Sequence, residues 1–253
     1  MQLRAIGSSS SVPRPGRACS SYLVRDGASA VVLDLGSGAF GKLRAALDYP
    51  SIDAVAVSHM HADHFLDLIP LRYGMTYGPF RRERRLPLFL PPGGETRLRE
   101  LCRAFDREGK GDFLDGVYDV AEYDPGAALE IGTIRLTFAP ARHFIEAYAI
   151  RAQTTTASVT YSGDTSPCDS IVECARGSDL FLCEATLGTG TETGERGHCS
   201  AAEAGTMARS AGVARLALTH YGGQEDPPAL RRAARAEFGG DVTVVDDGLE
   251  FEV

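Results

Sequence analysis

Residues 58–65 read Ser-His-Met-His-Ala-Asp-His-Phe, so three imidazoles and a carboxylate fall within the six positions from His59 to His64. Neutral nitrogen and anionic oxygen donors together are what borderline divalent metals such as zinc bind, and few other demands would concentrate them so. The cluster follows the apolar stretch 53–57, where a buried strand gives way to a loop. Within it the donors divide: His59 and His61 suit one ion, Asp63 and His64 a second. Four side chains do not complete two coordination spheres, so the fold has to deliver further ligands from far along the chain.

Three candidates stand in suitable places. His143 follows the strand-like run 134–139, Asp164 follows 159–163, and His220 follows 216–219. Each is expected at the C-terminal end of a strand, the edge of an open α/β sheet at which ligands gather. Gly163, just before Asp164, leaves room for backbone to pack close to the ions. The chain has six histidines; five occupy these positions and only His198 stands apart.

Short apolar runs at 3–6, 21–24, 30–33, 54–57, 134–138, 147–150 and 158–161 read as strands. Stretches 39–47, 95–105, 167–176, 201–211 and 228–238 read as helices, and the mixture means α/β layers. Pro167 suits the first position of the third helix, with Ser166 as its N-cap. Ser200-Ala201-Ala202-Glu203 has the form of a capping box, which starts the fourth helix at Ser200 and holds His198 near a helix N-terminus. No repeat, low-complexity linker or Pro/Gly/Ser break divides the chain, so residues 1–253 are expected to form one domain. The least regular part is 73–94. It carries Arg81-Arg82-Glu83-Arg84-Arg85, either a solvated charged turn or a basic lip that attracts anions.

Lys and Arg total 26 against 34 for Asp and Glu, a net charge of -8. The bulk field therefore repels polyanions, which disfavours long nucleic acid as a partner. The first residues lack the basic start and apolar run of a signal peptide, and no stretch approaches the roughly 18 apolar residues of a membrane span. A cytoplasmic protein with no membrane partner is expected. The six cysteines are dispersed without a C-x-x-C pair, which suits a reducing compartment and buried packing roles.

The pattern His59-x-His61-x-Asp63-His64, then His143, Asp164 and His220, resembles the metallo-β-lactamase superfamily over most of the chain. Ser162-Gly163-Asp164-Thr165, Glu184-Ala185-Thr186 and Gly197-His198-Cys199-Ser200 are similar to motifs of its ribonuclease Z branch and of the related cyclic-nucleotide phosphodiesterases. The resemblance implies a four-layer αββα sandwich with two divalent metal ions at one edge, zinc by default and manganese or iron as alternatives. It implies one ion on His59, His61 and His143, a second on Asp63, His64 and His220, and Asp164 bridging both. A homodimer is a further expectation from the resemblance. Ribonuclease Z carries a long arm that grips transfer RNA between the third histidine motif and the Gly-Asp-Thr turn. Here eight residues separate Ile150 from Val159, which leaves no room for such an arm and points to a small anionic substrate.

Two adjacent ions imply hydrolysis by an activated water. Asp63 then serves both as ligand and, as the family implies, as acceptor of a hydrogen bond from that water. The departing oxygen needs a proton, and Glu184 with His198 suits the task. A carboxylate bonded to one imidazole nitrogen favours the protonated ring and leaves the other nitrogen as general acid. The expected function is a phosphodiesterase on small diesters such as cyclic nucleotides. Alternatives on the same metals are a ribonuclease Z-type transfer-RNA 3'-end endonuclease and a hydrolase of lactones, thioesters or β-lactams, in which Tyr161 or Tyr221 polarises a carbonyl. A metal-dependent binding or sensing protein is the third class, and an open, water-bearing site argues against it.

Overall fold

The computed structural model describes residues 1–80, 82, 84–106, 113–223 and 225–253. Its first half runs β1 (Gln2–Gly7), β2 (Ser21–Asp26), β3 (Ser29–Leu33), α1 (Ala39–Ala46), β4 (Ala54–Ala56), α2 (Ala62–Phe65), α3 (Leu68–Tyr77), β5 (Leu86–Leu90), α4 (Gly94–Cys102) and β6 (Tyr118–Glu122). The second half runs β7 (Leu129–Ile131), β8 (Ile134–Pro140), β9 (Tyr148–Gln153), β10 (Ser158–Tyr161), α5 (Asp169–Ala175) and β11 (Leu180–Glu184). It ends with α6 (Ala201–Ala211), β12 (Arg215–Thr219), α7 (Pro227–Phe238), β13 (Asp241–Val244) and β14 (Glu250–Glu252). Two seven-stranded sheets result, in the orders β14-β1-β2-β3-β4-β5-β6 and β13-β12-β11-β10-β9-β8-β7.

Strand alternation decides how the layers stack, because successive side chains point to opposite faces. In β3, Ala30 and Val32 pack with Leu43 of α1, Leu71 of α3 and Leu98 of α4. Val31 and Leu33 point the other way and meet Ile150, Val159 and Leu182 of the second sheet. In β11, Leu180 and Leu182 join that central core, while Phe181 and Cys183 pack with Ile171 of α5, Met207 of α6 and Leu230 of α7. Three apolar layers thus separate helices, sheet, sheet and helices, the αββα sandwich that the resemblance implies. Each fully buried Leu, Val or Ile contributes about 1.5–3 kcal/mol, which is why both sheets can run apolar on both faces.

Pairing directions put the ends of the right strands together. Strands β10, β11, β12 and β13 are mutually parallel, and β8 runs with β10 because β9 is antiparallel to both. The C-terminal ends of β8, β10, β11 and β12 therefore share one edge. The two sheets are stitched there: His59, beyond β4, bridges Ala147, and Ser9, beyond β1, bridges Tyr221.

Two sequence expectations need correction. Helix α5 begins at Asp169 with Cys168 as N-cap and no side-chain cap; Ser166 instead bonds the carbonyl of Arg142 through its N–H at 2.8 Å and its hydroxyl at 3.3 Å. Segment 73–94 is also more regular than expected, since it contains the end of α3, the whole of β5 and the start of α4. Pro70 falls in the first turn of α3, where its missing N–H would be unpaired anyway. Of the basic run, Arg81 and Glu83 lie outside the described residues. Arg82 bonds the carbonyls of Pro50 and Ile52, and Arg85 pairs with the exposed Asp119 at 3.8 Å. The capping box at Ser200 is present with both of its bonds. The six cysteines are free thiols, and no helix among the described residues is long and apolar enough to cross a membrane.

Candidate metal centre

The candidate ligands meet at that shared edge, each just past a strand. His59 and His61 follow β4, Asp63 and His64 lie in the short helix α2, and His143, Asp164 and His220 follow β8, β10 and β12. Three groups of possible donors form among the described residues: His59, His61, His143 and Asp164 in the first, Asp63, His64, His220 and Asp164 in the second, and Glu184, His198 and His220 in the third, with donor atoms of each within 4.8 Å of one another. Donors 2.0–2.1 Å from a single tetrahedral zinc lie about 3.4 Å apart. In the first group, His61 Nδ1 is 3.2 Å from His59 Nε2 and 3.0 Å from His143 Nε2. In the second, His220 Nε2 is 3.1 Å from Asp63 Oδ2, and His64 Nε2 is 3.5 Å from the same oxygen.

Asp164 divides its oxygens between the first two groups. Its Oδ1 lies 3.4 Å from His64 Nε2 and 3.5 Å from His220 Nε2, and its Oδ2 lies 3.7 Å from His59 Nε2 and 4.0 Å from His143 Nε2. Gly163 makes this approach possible: its φ is +58°, and a Cβ there would sit 2.8 Å from the carbonyl oxygen of Tyr148. His64 Nε2 and Asp164 Oδ1 are buried and have no hydrogen-bond partner among the described residues. Buried polar atoms seldom go unpaired, and two facing lone-pair donors are satisfied together by a cation. The donor set therefore fits divalent metal ions.

The outer nitrogens of these rings are tethered, which aims the inner ones. His143 Nδ1 donates to Gly197 O at 2.7 Å, His64 Nδ1 to Asp34 Oδ2 at 2.7 Å, and His220 Nδ1 shares a 2.8 Å bond with the Thr186 hydroxyl. Burial, together with neighbouring imidazoles, pushes His59, His61 and His143 below the usual histidine range, so they stay neutral, the form that ligates. Burial also opposes charge on His64 and Asp164, yet Asp164 and Asp34 hold His64 well above its usual value, and His220 and His64 hold Asp164 well below the carboxylate range. The same negative charge would favour a cation held between them.

Asp34 is the site residue that the sequence did not reveal. It is fully buried at the end of β3 and accepts four bonds: from the N–H and hydroxyl of Ser58 at 2.7 and 2.8 Å, from His64 at 2.7 Å and from Tyr161 at 2.8 Å. Its φ is 56° and that of His220 is 51°; these are the non-glycine residues with positive φ among the described residues. Such strain costs about 1–3 kcal/mol and concentrates at functional sites. A signal was present, since Asp34 follows the run 30–33 as His143 and Asp164 follow theirs.

Glu184, the last residue of β11, is buried and fully engaged. Its Oε1 accepts from the Thr165 N–H and from His198 Nδ1, both at 2.8 Å, and its Oε2 accepts from the Thr186 N–H at 3.0 Å. These three bonds make it a tether for His198 and for the 165 and 186 backbone. His198 is 3.9 Å from Asp164 Oδ2, and its Nε2 has no hydrogen bond among the described residues. Burial lowers its pKa, but the bond and charge of Glu184, then the charge of Asp164, raise it to about 9. Tyr161 and Tyr221 are not placed to polarise a carbonyl. The first is buried on Asp34, and the second donates to Val245 O at 2.9 Å while accepting from Arg14 at 2.8 Å.

The family described as Beta-lactamase superfamily domain matches residues 30–221. An uncharacterized protein of Mycobacterium leprae is 34% identical over 255 residues, covering 100% of this chain and 89% of the relative. The probable metallo-hydrolase YhfI of Bacillus subtilis is 28% identical with both chains covered in full. Its crystal structure matches with a TM-score of 0.89 at 27% identity, covering 100% of this chain and 99% of that one. A ribonuclease Z of Methanothermobacter thermautotrophicus is 29% identical over 306 positions, 100% of this chain and 97% of its own; that span exceeds the 253 residues here, so the relative carries insertions. The family match covers the whole donor constellation and the fold is that of a metallo-hydrolase: this chain belongs to the beta-lactamase superfamily, as a hydrolase of the metallo-β-lactamase fold.

Proposed function

We propose that the protein is a two-metal phosphodiesterase acting on small phosphodiesters such as cyclic nucleotides. The observation that carries this reading is the Glu184–His198 pair beside the donor groups, because an alkoxide leaving group needs a proton and an acyl hydrolase has less use for one. In the proposal His59, His61 and His143 hold one ion, Asp63, His64 and His220 the other, and Asp164 bridges them. Zinc is the expected metal, with manganese or iron as alternatives. When bound, the ions supply Lewis acidity and a nucleophilic water.

The chain's own groups do the rest. Asp63 turns Oδ2 toward the second group and uses its other oxygen to orient the attacking water. Water oxygen would bond to phosphorus and release one proton to solvent, the bond from phosphorus to the leaving oxygen would break, and His198 Nε2 would pass its proton to that oxygen and regain one from solvent. Glu184, bound to Nδ1, stabilises the protonated ring beforehand.

A small substrate is favoured by the connection between β9 and β10. Gln153 pairs directly with Ser158, so the place where ribonuclease Z carries its arm is a tight turn here. Together with the net charge of -8, this weighs against a transfer-RNA substrate. A cytoplasmic homodimer remains part of the proposal. The test is hydrolysis of bis(p-nitrophenyl) phosphate and cyclic AMP by purified protein, before and after chelation, with zinc and manganese restored separately. Chelator-sensitive turnover is expected. Bound metal without turnover of either diester would instead favour acyl or lactone substrates.

A further inference from the structure

Phe144 lies one residue beyond His143, yet 58% of its surface is exposed. Single exposed apolar residues are ordinary, but this ring is held in place. Its centroid is 5.3 Å from that of His143 and 6.0 Å from that of His198, and those two imidazoles are 5.0 Å apart. It also packs so closely on Gly197 that a Cβ there would come within 2.5 Å of its Cε2. The imidazoles have little freedom to yield, since His143 is tied to Gly197 O at 2.7 Å and His198 to Glu184 at 2.8 Å. The result is a supported aromatic ring, open to solvent, beside the group assigned to protonate the leaving oxygen.

We propose that Phe144 is a specificity-determining residue, a platform on which an aromatic ring carried by the leaving group stacks. The proposal rests on the phosphodiesterase reading of His198: whatever is attached to the protonated oxygen lies on the Phe144 side of the site. An exposed ring gains from a planar partner by burying apolar surface. Stacking of a base on an aromatic side chain is tolerant of base identity, because every base has a π-face. The substrates selected are then nucleotide-type diesters of any base in preference to alkyl diesters.

The test compares wild type, F144A and F144W, each assayed for zinc content, on 2',3'-cyclic AMP and glycerol 1,2-cyclic phosphate, two five-membered diesters that differ in the nucleoside. F144A is expected to lower the ratio of kcat/KM for the first over the second by about tenfold, chiefly through KM, and F144W to restore it. An unchanged ratio overturns the proposal, since a merely structural role would depress both substrates alike. If wild type turns over neither diester, the phosphodiesterase reading fails on its own. Calorimetric binding of AMP against ribose 5-phosphate then decides Phe144 separately: a preference for AMP that F144A removes sustains the platform, and no preference ends it.

Discussion

His198 donates through Nδ1 to Glu184 Oε1 across 2.8 Å, and the accepting carboxylate is itself fixed by the backbone N–H groups of Thr165 and Thr186. The proposed proton donor is thereby anchored next to the candidate metal-binding groups. Replacing His198 with Ala is expected to lower kcat by about 10²–10⁴, the usual worth of a general acid, while metal content by elemental analysis stays at the wild-type level. Loss of metal in H198A would move His198 into the ligand set and end its assignment as the acid.

The same pair sets a pH dependence. His198 titrates at about 9, because the Glu184 bond and charge and then Asp164 outweigh the opposing effect of burial. Under the proposed role the acid form is needed for turnover, so kcat/KM is expected to fall as pH rises through this value. Glu184→Gln removes the largest of the raising contributions. The basic limb of the kcat/KM profile is therefore expected to move to lower pH in E184Q, and a limb that stays in place would show that another group controls it.

Asp34 reaches the centre through His64. Bonded to Nδ1 of that ring at 2.7 Å, and to Ser58 and Tyr161 besides, it fixes the tautomer that presents Nε2. Outer partners of this kind are worth about 10–100-fold in metal affinity or activity. For Asp34→Asn, competitive titration against a chromophoric chelator should show weaker binding by a factor in that range. Unaltered affinity would make Asp34 a purely structural residue.

Ser200 tests the support beneath His198. Its hydroxyl accepts from the Glu203 N–H while the Glu203 carboxylate accepts from the Ser200 N–H, closing the first turn of α6. S200A should cost about 1 kcal/mol, read as a fall in thermal midpoint of about 2–4 °C for a domain of this size. Metal content should not change, because none of the proposed ligands lies on α6. A much larger loss would mean that the cap also holds the 186–198 loop.

The donor groups were legible in the sequence because metal chemistry leaves a local mark. The spacing of His59, His61, Asp63 and His64 on one turn, and the placement of His143, Asp164 and His220 after apolar runs, required no knowledge of pairing. Ser200 and Glu203 were legible for the same reason, since a capping box is a contact between residues three apart. Strand β5 was not, because Pro87 breaks the pattern expected of a paired strand, yet β5 lies between β4 and β6. The start of α5 was misplaced because the hydroxyl of Ser166 goes to Arg142 O, 24 residues away, a competitor that no local rule reveals.

The sequence by itself determined which atoms a metal centre needs and that each would emerge from the end of a strand. Only the tertiary structure decided that those ends share one edge, that Asp164 faces both donor groups, and that Asp34 stands behind His64. The reason lies in the range of the interactions. Ligand type, caps and periodicity act over a few residues, whereas Tyr161 meets Asp34 across 127 positions and His220 meets Asp63 across 157, contacts that exist only once two sheets have closed on a common apolar core.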